Sequence, residues 1–335
     1  MMNETDFGTR DALGEYHPKD PISYGPLFTW PPRPGKLLTW LFGMPGYILP
    51  WNLVMTVIAA VVWLFLYPPL TEMTAFHFGW IAQIALINYA LVLVWYGAWH
   101  GWLYTLRRQG TQFKYNRTWP KLKSAVFLFG KQNADNMVWT LASGVPIWTA
   151  YVVVALYLYA NGYVTLLNPA DHPVWFAVLV FVVPLLHEAH FFFAHRLVHV
   201  PFLYRHFHAL HHKNVNPAPW SGLAMHPVEH LIYFSSIVMV AAIYSHPIHM
   251  MSVAIRTGLG PAIGHTGFDK VDLGGDRSVD AGVRAHYLHH KLFEVNYSDG
   301  SVPLDKWFGS FHDGTPASDD RLRERLKKRA AKRRA

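Results

Sequence analysis

Three short runs of histidine carry the side chains in this chain best suited to chemistry. They are His195-Arg-Leu-Val-His199, His208-Ala-Leu-His211-His212 and His286-Tyr-Leu-His289-His290. On an α-helix, positions three and four apart share a face and span about 100° of the circumference. Each run can therefore aim all its imidazoles into one cavity. Random placement of the chain's 21 His would give about 0.08 occurrences of H-x-x-H-H, the pattern found twice here. An isolated His is usually a core or interface residue, but three such runs read as metal ligands. Neutral imidazole suits iron, zinc, copper and nickel. Eight imidazoles exceed what one ion normally takes, so two metals sharing a cavity are expected. The chain has no Cys, which excludes thiolate zinc sites, iron–sulfur clusters, disulfide scaffolds and Cys nucleophiles.

The elements that must hold these runs are apolar. Of 335 residues, 52% are hydrophobic and 15% charged, against about 25% charged in a soluble domain. Ile48–Leu66, Phe78–Leu106 and Met137–Leu167 contain no Asp, Glu, Lys or Arg, and neither does Pro173–Leu186. A bilayer core of about 30 Å needs roughly 20 apolar residues in a helix. The expected fold is all-α: a polytopic membrane protein with about four transmembrane helices and a cytoplasmic, histidine-rich helical cap. Leu231–Ile255 is uncharged too, but His246, Pro247 and His249 interrupt it, leaving open whether it spans, dips into or lies on the membrane. Trp30, Trp40 and Trp51 suit either an interfacial belt or internal packing.

The loop 107–136 carries seven Lys/Arg, whereas 67–77 and 168–172 carry none. The positive-inside rule then puts that loop, both termini and the histidine runs in the cytoplasm, with the inner membrane of a bacterium as the expected location. The net charge of +8 is concentrated in residues 321–335, which hold nine Lys/Arg and one Glu. Such a tail on an apolar chain fits anionic headgroups better than nucleic acid. Four regions follow: a polar, Pro-rich segment 1–47, transmembrane helices 48–172, a histidine-run domain 173–314 and the basic tail 315–335.

The three runs, in this order, resemble the fatty acid hydroxylase/sterol desaturase superfamily of membrane di-iron enzymes. His226-Pro-Val-Glu229, His265-Thr-Gly-Phe-Asp269, Phe293-Glu-Val-Asn296-Tyr297 and Asp305-Lys-Trp-Phe308-Gly309 resemble further segments of sterol-type members. The similarity covers roughly Trp175–Gly314. It implies two iron ions, O2 as co-substrate, a membrane lipid substrate and hydroxylation of a C–H bond, with desaturation as the alternative outcome. Zinc could replace iron during purification. Carried over by position, the implied ligands are His195, His199, His208, His211, His212, His286, His289 and His290, with His265 matching a further metal position. His226 and His230 stand in a second tier, as ligands or as partners of ligands. Glu188, Glu229 and Glu294 are candidates to orient imidazoles through the other ring nitrogen. His187 and His190 are expected to pack or hydrogen-bond, and His206 to face away.

The carboxylate-rich E-x-x-H pattern of soluble di-iron bundles is missing at this spacing. No H-P-G-G haem segment occurs, so a separate ferredoxin, or a cytochrome with its reductase, is expected as electron donor. Gly258-Leu-Gly260-Pro-Ala-Ile-Gly264 has the wrong spacing for a dinucleotide loop and contains Pro261. A metal transporter is the rival of another class. It is disfavoured because the runs fall on one side of the spans, whose uncharged interiors offer only His100.

Overall fold

The computed structural model describes residues 2–275, 277–298 and 300–334. Six apolar helices run alternately up and down: α1 (Trp51–Leu66), α2 (Phe78–Thr105), α3 (Gln132–Ala160), α4 (Pro173–Val198), α5 (Pro227–Ala242) and α6 (Pro247–Gly264). The last three each begin on proline, whose missing N–H costs nothing in a first turn. Among the described residues, only α2, α3 and α4 are long and apolar enough to cross a membrane. The expected first span is thus a shorter helix, whereas the fourth, legible in the sequence only to Leu186, extends to 26 residues. The helix expected to start at Met137 begins at Gln132, because Gln132, Asp135 and Asn136 are buried against polar partners. The Leu231–Ile255 stretch is a helical hairpin, α5 and α6 breaking at residues 243–246.

Contacts between connections sort the bundle into two ends. At one, Leu166 bridges Ser245, Phe76 stacks on Tyr157 and the Trp175 indole donates to the Tyr244 carbonyl. At the other, Lys114 bridges Phe268, Gln132 donates to Asn214, and the Trp51 indole donates to the Asp280 carbonyl. Every histidine run lies at this second end, with the basic 107–136 loop beside it. Trp51 is therefore a packing residue, while Trp30 is 91% exposed.

Helix α6 is the centre of the bundle and buries most of its length against α1, α5, α2 and α3. By contrast, α2 and α4 present Phe78, Leu86, Val94 and Val174 outward, as lipid-facing helices do. Close approach requires glycine at Gly222, where a Cβ would overlap the Pro261 carbonyl. That contact seats the turn Pro219–Leu223 on α6 just ahead of His265.

Smaller elements complete the histidine end. They include the short helix Ala209–His212, α7 (Arg284–Leu292) and α8 (Pro316–Arg334). Two antiparallel hairpins, the only strands among the described residues, qualify the all-α expectation: β1 (Gly8–Arg10) with β2 (Tyr16–Pro18), and β3 (Lys270–Gly274) with β4 (Arg277–Asp280). The N-terminal segment is tied to the basic loop, since Arg10 pairs with Glu4 and donates to the Thr111 carbonyl.

Candidate metal centre

All nine histidines singled out from the three runs and the His265 segment converge, in two groups. His195, His199, His208, His212 and His289 form a five-imidazole cluster, and His211, His265, His286 and His290 a four-imidazole cluster. In the first, His199 Nε2 lies 3.1 Å from both His208 Nε2 and His289 Nε2 and 3.2 Å from His212 Nε2. In the second, His265 Nε2 lies 3.1 Å from His286 Nε2 and His290 Nε2 and 3.3 Å from His211 Nε2. The clusters adjoin: the His289–His290, His211–His212 and His195–His286 ring centroids are each 6.0 Å apart.

The histidine runs do not map one to a cluster. The second run sends His208 and His212 to the five-imidazole cluster and His211 to the other. The third does the reverse, sending His289 to the five and His286 with His290 to the four. Positions four apart stay together and the position three along crosses over. A π-helical turn at Tyr204–His208 leads into the short helix that carries the second run.

For four of the rings a backbone carbonyl on the opposite face fixes the tautomer. His195 Nδ1 donates to the Tyr297 carbonyl (2.9 Å), His289 Nδ1 to Val295 (2.6 Å), His265 Nδ1 to Pro261 (3.0 Å) and His211 Nδ1 to Ala224 (3.4 Å). His208 Nδ1 pairs with Glu229 Oε1 at 2.7 Å. Carbonyl oxygen only accepts, so those Nδ1 atoms hold the ring proton and each Nε2 is left with a lone pair. Burial pushes the imidazoles of His208, His211, His212, His286, His289 and His290 well below the usual histidine range, and His265 to about 4. The rings are therefore neutral. Across the His211–His265 pair, two lone pairs face each other at 3.3 Å with no proton between them. A cation in each cluster relieves that repulsion, so the donor set fits two ions that accept imidazole.

The remaining candidates lie outside both clusters. His226 caps α5, accepting from the Val228 N–H at 3.2 Å. His230 is buried between Ser143 Oγ and the Leu223 carbonyl, its neighbours dictated by α3. Glu229, which stands between them, does reach a ligand ring. Glu188 instead accepts from the Val302 N–H at 2.9 Å, and Glu294 pairs with Arg329 of α8. His206 is exposed and His190 pairs with Ser235.

Two supporting roles were not read from the sequence, although Asp305 opens one of the family-like segments. Asp305 accepts from the Tyr297 and Ser298 backbone and from the Ser298 and Ser310 hydroxyls, at 2.6–2.9 Å. It thereby holds the strap that offers the Val295 and Tyr297 carbonyls to the ligands. Asn214 accepts from Gln132 and Asn136 at 3.0 Å each and donates to the His211 carbonyl, fastening the second run to α3.

Residues 179–310 match the family described as fatty acid hydroxylase. This segment belongs to that family. Among curated proteins, the chain is similar to a Delta(7)-sterol 5(6)-desaturase of Gibberella zeae, 27% identical over 43% of this chain and 45% of the relative. It is also similar to a Delta(7)-sterol 5(6)-desaturase of Aspergillus fumigatus (30%, over 47% and 55%) and to methylsterol monooxygenase 1 of Gallus gallus (28%, over 42% and 49%). The chain thus spans about half the length of these relatives. All three are eukaryotic, which gives the expected bacterial location no support. No solved structure matches the chain.

A cavity of about 190 Å³ opens onto both clusters of the fatty acid hydroxylase segment. His195, His208, His211, His265 and His286 form one end of its wall, and α1, α4, α5 and α6 enclose the rest.

Proposed function

We propose that this protein is an O2-dependent membrane oxidoreductase that hydroxylates a C–H bond of a lipid, with two iron ions held by the nine clustered histidines. The observation that carries the reading is the facing lone pairs of His211 and His265 beside a largely apolar cavity. The iron pair, when bound, supplies the reductive activation of O2 that no side chain can perform. The protein's own residues do the rest. The carbonyls of Val295, Tyr297 and Pro261 and the Glu229 carboxylate keep the ligand lone pairs aimed inward. The cavity walls admit hydrocarbon and exclude water.

Hydroxylation would consume O2, two electrons and two protons, and return a C–OH and one water. Desaturation would use the same reactants, remove two hydrogens from adjacent carbons and return two waters. The names of the relatives favour a sterol or similar lipid; an acyl chain or an aminolipid fits the same cavity chemistry. A separate ferredoxin or cytochrome would supply the electrons. The basic 107–136 loop shares an end with the clusters, which supports a cytoplasmic site.

Comparative lipid mass spectrometry of cells with and without the gene, under ¹⁸O2, tests the reaction. One labelled oxygen in a lipid is the expected result, and loss of two hydrogens without label would move the assignment to desaturation. Purified, folded protein containing no metal, from cells supplied with iron, would overturn the proposal.

A further inference from the structure

The cavity has a second polar end, away from the clusters. His187 lines it on the same face of α4 as Phe191 and His195. His187 stands eight positions before His195, a rise of about 12 Å along the helix. His187 is 4% exposed, and its Nδ1 has no hydrogen-bond partner among the described residues. The same cavity wall holds Arg256, the only formally charged residue of α6, which donates to Asn52 Oδ1. An unpaired nitrogen in an apolar wall carries a desolvation cost that a ligand oxygen removes. An ionisable side chain at this depth in a membrane bundle marks a ligand path.

We propose that His187 and Arg256 form an oxygen-recognition pole that takes the hydroxyl group of an amphipathic lipid. A hydroxyl accepts from the guanidinium while pairing with the imidazole Nδ1, which neither a hydrocarbon nor an ether can do on both counts. The apolar body then runs past Phe191 to the histidine clusters. The two ends stand about 12 Å apart along α4, so the oxidised carbon is remote from the recognised oxygen along the molecule. This regiochemistry rests on the proposed function, whereas the binding itself does not.

The test is a set of binding isotherms on the as-purified protein in detergent, with dodecanol, dodecyl methyl ether and dodecane as probes and intrinsic tryptophan fluorescence as readout, Trp51 being part of the cavity wall. Wild type is expected to bind the alcohol about tenfold more tightly than the alkane, as one hydrogen bond to a charged or buried group predicts. His187→Phe and Arg256→Gln should remove that preference. His187→Asn, whose amide nitrogen stands near the place of Nδ1, should restore most of it. Equal affinity for all three probes in wild type, or a full alcohol preference in His187→Phe, overturns the pole. Should Arg256→Gln fail to fold, the His187→Phe and His187→Asn pair decides alone. An alcohol preference in protein that yields no O2-dependent product sinks the proposed function and leaves the pole standing. The reverse result sinks the pole alone.

Discussion

Glu229 is the one carboxylate that touches a clustered imidazole among the described residues. Its hydrogen bond orients His208 as a metal donor, and partners of this kind typically change metal affinity 10–100-fold. Glu229→Ala is expected to lower affinity by about that factor in a chelator competition, and Glu229→Gln, which keeps an acceptor, by less. The clusters also make stability depend on pH. An unfolded histidine titrates near 6.5, whereas burial holds the folded His265 at about 4. Above 6.5 both states are neutral and the folded state keeps its full stability. As pH falls from 6.5 toward 4, the unfolded chain binds protons that the folded chain refuses, so stability drops. The melting temperature of metal-free protein should therefore fall between pH 7 and pH 5, and a flat profile would contradict a buried neutral cluster. At this scale, eight of the nine clustered histidines were legible because runs at helical spacing are rare by chance, and His265 through the family-like segment that it opens. Glu229 was legible only as a candidate. The Val295 and Tyr297 carbonyls were not legible at all, since every residue has a carbonyl and only the chain's path decides which one meets a ring.

Among the elements, the strap after α7 matters most. Asn296 and Phe293 sit at positive φ (52° and 64°), so the chain turns sharply enough to bring Val295 and Tyr297 under two ligand rings. Asp305 fastens it through four hydrogen bonds. Removing a buried acceptor strands its donors at about 1–3 kcal/mol each in the worst case, so Asp305→Ala is expected to cost roughly 3 kcal/mol after relaxation. The checks are the thermal midpoint and the metal retained, because a loosened strap should also release the ion held through His195 and His289. The sequence showed α2 and α4 as apolar runs but misjudged their neighbours. α1 ends at Leu66 after 16 residues, and α3 starts five residues early. Hydropathy reports lipid contact and is blind to a polar helix start such as Gln132–Asn136, which is satisfied by Asn214 rather than by water.

For the whole molecule, the six helices put the histidine runs, the 107–136 loop and α8 at one end. The basic tail is not loose: Arg325 donates to the Glu294 and Gly309 carbonyls, and Arg329 pairs with Glu294. A chain without cysteine is well suited to accessibility mapping. With single cysteines at the exposed positions Glu72, Lys123 and Lys332, a membrane-impermeant thiol reagent applied to intact cells should label Glu72→Cys and spare the other two. Labelling of Lys123→Cys with Glu72→Cys protected would invert the orientation.

The crossing over of the second and third runs has a thermodynamic consequence. Each of these two short helices is shared by both clusters, so neither cluster can be completed while the other's half of the same helix remains unset. Filling the first position prepays the ordering of the second, which is positive linkage between the two ions. A metal titration should then be steeper than two independent sites allow, with singly loaded chains scarce at the midpoint. By the same reciprocity, stripping one ion weakens the hold on its neighbour, and demetallation should run to completion rather than pause halfway.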